Sequence, residues 1–125
     1  MSESEANKLL CEWIERLGLQ EWRIKLHANC TNEETDDNAG LTVWQEVNMT
    51  ACIHIIDEKY YGEDRVCPFD FEKTLVHELL HLKTCFITDV EDELTSRVAH
   101  QLIDSLARAL VDAKRSGQKS KNYTE

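Results

Sequence analysis

The stretch Thr74-Leu75-Val76-His77-Glu78-Leu79-Leu80-His81-Leu82 decides how this chain is read. An α-helix turns once every 3.6 residues, so positions i and i+4 project from one face. His77 and His81 stand in that relation, and two imidazoles one turn apart reach a single metal ion. Glu78 follows about 100° round the helix, near enough to take a proton from a water held there without being a ligand itself. Leu75, Val76, Leu79, Leu80 and Leu82 make the same helix largely buried. Two imidazoles in such surroundings need a polar partner to offset their desolvation.

Working outward, Asp70 is an expected N-cap for this helix, which runs from Phe71 to about Cys85. Before it, residues 5–17 carry Leu9, Leu10, Trp13, Ile14 and Leu17 at helical spacing, and Gly18 supplies the stop. Trp22, Ile24, Leu26 and Ala28 then alternate with Arg23, Lys25 and His27, the period of a strand with one buried face. Residues 40–47 and 49–56 are two more β-type runs, and the single residue between them, Asn48, predicts a hairpin. The acidic segment Thr31 to Asn38 reads as a surface loop whose spacing matches no calcium loop. Tyr60 to Asp64 is a connector, and Pro68 precedes the motif helix. A last helix opens near Asp89, carries a stripe of Leu94, Val98, Ile103, Leu106 and Leu110, and ends near Ala113.

The expected fold is therefore α+β: an N-terminal helix, a small three-stranded sheet, the motif helix and a C-terminal helix. One domain is expected over residues 1–115, followed by a flexible basic tail over 116–125. Lys114, Arg115, Lys119 and Lys121 gather at this end and read as solvated and frayed.

At 125 residues the chain can bury one modest core. A net charge of −10 opposes nucleic acid as a partner, since phosphate contacts need clustered Lys and Arg. No apolar run is long enough for a bilayer, and Met1-Ser2-Glu3-Ser4-Glu5 lacks the basic and apolar regions of a secretory signal. The five cysteines, 11, 30, 52, 67 and 85, form no C-x-x-C pair, so a cytoplasmic location with reduced thiols is expected. His27 and His54 are read as strand surface residues, because neither has a second donor at ligand spacing.

A catalytic zinc takes three protein ligands and keeps a fourth position for water, so His77 and His81 need one more. A short turn makes the last two helices antiparallel neighbours. Counting back from that turn leaves Glu93, Arg97, His100 and Asp104 as the face that approaches the metal. Arg97 cannot bind a cation. His100 is favoured; Glu93 is the alternative, although a carboxylate in a first turn already has a reason in the helix dipole. Asp104 stands one turn from His100 and suits a partner that orients a ligating imidazole.

The segment around His77-Glu78-Leu79-Leu80-His81 resembles the active helix of zincin-type metallopeptidases. The run from Val98 to Leu110 looks like the following helix of small metallopeptidases common in bacteriophages and their bacterial hosts. The resemblance implies a minimal zincin-like domain that binds Zn2+ and hydrolyses a protein or peptide substrate, with Glu78 as general base. It also implies an oxyanion donor, for which Tyr60, Tyr61 and Arg97 are candidates, and a substrate strand added to a sheet edge formed by Ala51 to Ile56. In the gluzincin branch the third ligand is a glutamate at the distance where this chain has His100, a departure from the pattern. The metzincin pattern is absent from Leu82 to Ile87. Two other functions compete: a catalytically weak or inactive zinc-binding regulatory module of phage or mobile-element origin, and a hydrolase acting on a nonpeptide bond.

Overall fold

A computed structural model describes residues 1–63, 65–88 and 92–123. Among the described residues there are four helices and a three-stranded sheet, a small α+β domain. Helix α1 spans Glu3–Leu17. The Ser2 hydroxyl caps its start by accepting from the Glu5 N–H at 3.1 Å. Gly18, at φ 68°, takes the left-handed conformation that ends it.

Strands β1 (Arg23–Cys30), β2 (Gly40–Gln45) and β3 (Thr50–Ile56) follow. The β2–β3 hairpin forms as expected, antiparallel with Gly40 opposite Ile55. β1 pairs parallel to β3, giving the order β1-β3-β2. The strand expected to offer the sheet edge is thus the central one, and β1 and β2 are the edges. The physical reason is burial: Ala51, Ile53 and Ile55 all face the core, with both isoleucines fully buried. A strand so apolar is best paired on both sides.

The short helix α2 (Glu58–Tyr61) takes in the first two residues of the expected connector. Helix α3 (Phe71–Thr88) crosses the inner face of the sheet, and α4 (Glu93–Tyr123) packs along α3. Leu75, Val76, Leu79 and Leu82 of α3 meet Ile53 and Ile55 of β3 and Trp13 of α1 in one core. Each such aliphatic side chain stabilises the fold by roughly 1.5–3 kcal/mol on burial.

The α4 stripe differs from expectation. Ile103, Ala107 and Val111 are the buried residues, whereas Leu94, Val98 and Leu106 remain exposed. A straight helix meets its neighbour along a narrow i, i+4 line, and the small Ala107 lets that line approach closely. The expected start at Asp89 lies outside the described residues. The helix does not stop near Ala113 but continues to Tyr123, through positions expected as a tail.

Lys114 and Arg115 are docked, not solvated. Lys114 bridges Glu12 of α1, at 2.7 Å, and Glu72 of α3. Arg115 holds both oxygens of Asp70, at 2.8 and 3.0 Å. Asp70 is the expected N-cap, accepting from the Lys73 N–H at 3.1 Å. Among the described residues, no helix is long and apolar enough to cross a membrane.

Candidate metal centre

Helix α3 presents His77, Glu78 and His81 together, with one ligand atom from each within 4.8 Å of the others. The His77 and His81 rings have centroids 5.2 Å apart. From α4, His100 brings its ring to 5.1 Å from that of His81. Three imidazoles bound tetrahedrally through one nitrogen each would stand with centroids about 5.2 Å apart, given bonds of about 2.0–2.1 Å. The two spacings about His81 are close to that value, while the ligand atoms that all lie within 4.8 Å of one another are those of His77, Glu78 and His81.

Ring orientation supports the same assignment. His100 Nδ1 lies 2.8 Å from the Ser96 carbonyl. A carbonyl only accepts, so Nδ1 carries a hydrogen and Nε2 is the nitrogen that a metal would take. His77 Nδ1 lies 3.5 Å from Asp104 Oδ1, so Asp104 orients His77 from the neighbouring helix. Sequence spacing pairs Asp104 with His100, one turn away on its own helix, whereas the contact formed is with His77. Asp104 is held in turn by Arg108. His81 stacks on Trp44 of β2, with centroids 6.4 Å apart and planes 15° from parallel. Burial, with help from the charges of His77 and His100, lowers the His81 pKa to about 4. At neutral pH its lone pair is available to a metal.

Glu78 is buried against β2. Its Oε1 accepts from the Thr42 hydroxyl at 2.8 Å. Burial pushes this carboxyl above the ordinary carboxylate range, opposed by the Thr42 bond and then by the charges of His77 and His100. The close fit depends on Gly40, where a Cβ would fall 2.9 Å from Glu78 Cγ and 3.0 Å from Oε2.

These residues line a cleft of about 590 Å³ between the β2 edge and α4, with α3 between them. The sequence-predicted His77, Glu78, His81, His100 and Asp104 all reach it. Glu93 and Arg97 do not: they pair with each other at 2.8 Å, both largely exposed. Of the two tyrosines, Tyr61 lines the cleft but donates its hydroxyl to the Cys67 carbonyl at 3.0 Å, and Tyr60 is exposed beside Lys59. Gly40, Thr42, Trp44 and Arg108 were missed by the sequence. The β2 residues lie more than thirty positions from the motif in the chain, and only strand placement brings them near. No known family, curated protein or solved structure matches this chain.

Proposed function

We propose that this chain is a minimal zincin-like peptidase that hydrolyses a peptide bond with zinc held by His77, His81 and His100. The observation that carries the proposal is the meeting of three imidazoles from two helices beside one buried carboxylate. Zinc, when bound, supplies a Lewis acid and makes a water in its open position acidic enough to react near neutral pH.

The rest falls to the chain's own residues. Glu78 accepts a proton from the attacking water and passes it to the leaving amine. Thr42 fixes one carboxylate oxygen so that the other is presented to the cleft. Asp104 and the Ser96 carbonyl hold two of the imidazoles in position.

The free edge of β2 supports a peptide as substrate. The Ile56 N–H donates to the Ala39 carbonyl, so alternation directs the backbone groups of Gly40, Thr42 and Trp44 away from β3. All three residues line the cleft. An extended peptide added there would be bound by main-chain hydrogen bonds next to Glu78.

The test is Glu78→Gln assayed on a peptide library. Cleavage should fall by about 10²–10⁴-fold while zinc content stays at the wild-type level. Equal cleavage by the variant would contradict the mechanism. Zinc binding without any turnover in the wild type would favour the regulatory module.

A further inference from the structure

The face of the sheet turned away from α3 carries a second group of metal-ligating side chains. Cys30, Glu34 and His54 each place one ligand atom within 4.8 Å of the others. On β3, Ile53 and Ile55 point into the core, so His54 between them points to the opposite face. The cluster is therefore separated from the cleft by the sheet itself.

Its assembly has a definite backbone cause. β1 runs in register with β3 up to the pair His27 and His54, and regains pairing at Cys30 and Ile56. Two residues of β1 thus oppose one of β3, a bulge, with Asn29 in the left-handed region at φ 58°. Without the bulge, residues three apart would point to opposite faces; with it, Cys30 turns to the side of His54. The sulfur comes to 3.8 Å from His54 Nδ1. A thiolate and an imidazole on one tetrahedral zinc stand about 3.6 Å apart, from bonds of about 2.3 and 2.0 Å.

The loop after β1 supplies the third donor. The Thr31 N–H and hydroxyl both donate to Glu34 Oε1 at 3.1 Å, while the Glu34 N–H donates to the Thr31 hydroxyl at 3.3 Å. These bonds fix the carboxylate and leave Oε2 available. His27 stacks on His54 with centroids 4.7 Å apart, holding the ligating ring in place.

We propose that Cys30, His54 and Glu34 form a second binding site for a divalent metal of the zinc class, independent of the α3–α4 centre. The site takes a borderline-soft ion because its donors are one sulfur, one nitrogen and one oxygen. Burial, with the Glu34 charge adding to it, raises the pKa of the Cys30 thiol. Binding therefore replaces the S–H bond with a sulfur–metal bond and releases one proton to solvent.

Cobalt(II) tests this on the reduced, metal-free full chain, because a thiolate ligand gives a near-ultraviolet charge-transfer band that imidazoles and carboxylates do not. The wild type should develop the band, saturating at one equivalent of sulfur-bound cobalt. It should persist in Cys67→Ala, which removes the thiol lining the cleft, and in His77→Ala/His81→Ala. Cys30→Ala should abolish it. Since Cys30 is buried, Glu34→Gln on the exposed loop gives a milder variant, expected to weaken cobalt binding at least about tenfold. Absence of the band in the wild type would overturn the proposal, and so would its survival in Cys30→Ala or its loss in Cys67→Ala. Unchanged cobalt affinity in Glu34→Gln would overturn the three-ligand site.

Discussion

Glycine 40 does its work by what it lacks. A methyl group at this position would press on the Glu78 side chain at 2.9–3.0 Å. Glu78 is buried and bonded to Thr42, so it cannot swing aside without breaking that bond. Gly40→Ala should therefore leave the fold and the zinc content intact while lowering peptide cleavage by about 10–10²-fold, the cost of misplacing a catalytic group by a fraction of an ångström to an ångström. Undiminished kcat in this variant would show that the Glu78 position is not critical. The imidazoles differ from the carboxylate in what holds them. His77 and His100 each have an orienting oxygen, and His81 has the face of Trp44. Each arrangement fixes a ring at little cost in side-chain entropy.

At the scale of elements, three helices are joined by a charged clasp. Glu72 at the start of α3 receives the Trp13 indole N–H of α1 at 2.7 Å and the Lys114 ammonium of α4. Burial opposes the Glu72 charge, yet the Lys114 and Trp13 bonds outweigh it and hold its pKa below the usual carboxylate value. Asp70 behaves alike, with burial overcome by Arg115. The Lys114 pKa is raised: burial works against its charge, and Glu12 and Glu72 more than restore it. Both carboxylates therefore stabilise the fold at pH values above their unfolded pKa and lose that contribution as pH falls through their lower folded values. Lys114 contributes below its unfolded pKa and loses its share as pH rises through the higher folded one. Lys114→Met should cost about 1.5–3 kcal/mol at pH 7, because it removes a charged donor from the buried Glu72 carboxylate, which keeps the Trp13 N–H and the Arg115 contact at 3.4 Å. The cost should shrink under acid conditions where Glu72 is protonated. Urea unfolding of both proteins at pH 7 and pH 3.5 measures this, and an equal cost at the two pH values would mean that charge is not what Lys114 supplies. The clasp matters to the cleft as well, since it sets where α4 lies along α3 and so where His100 meets His81.

Over the whole molecule, what could be read from the sequence was what repeats locally. The helical spacing of Leu10 and Trp13, the Gly18 stop, the Asp70 cap and the hairpin around Asn48 all follow from neighbours a few residues apart, and all appear in the fold. His77, Glu78 and His81 were legible for the same reason, and counting along an antiparallel pair of helices led to His100. What stayed hidden was long-range pairing. Nothing in the alternation of β1 discloses that it runs parallel to β3, so neither the central place of β3 nor the meeting of His27 with His54 could be foreseen. The bulge that turns Cys30 was equally silent. Lys114 and Arg115 looked like a solvated end because their partners, Glu12, Asp70 and Glu72, lie far back in the chain. Zinc-edge X-ray absorption reads the ligands of the proposed α3–α4 centre. In Cys30→Ala loaded with one equivalent of zinc, three imidazole nitrogens and one further oxygen ligand are expected around the metal, falling to two imidazoles when His100→Ala is added. Three imidazoles that survive His100→Ala, or fewer than three before it, would rule out His77, His81 and His100 as the ligand set.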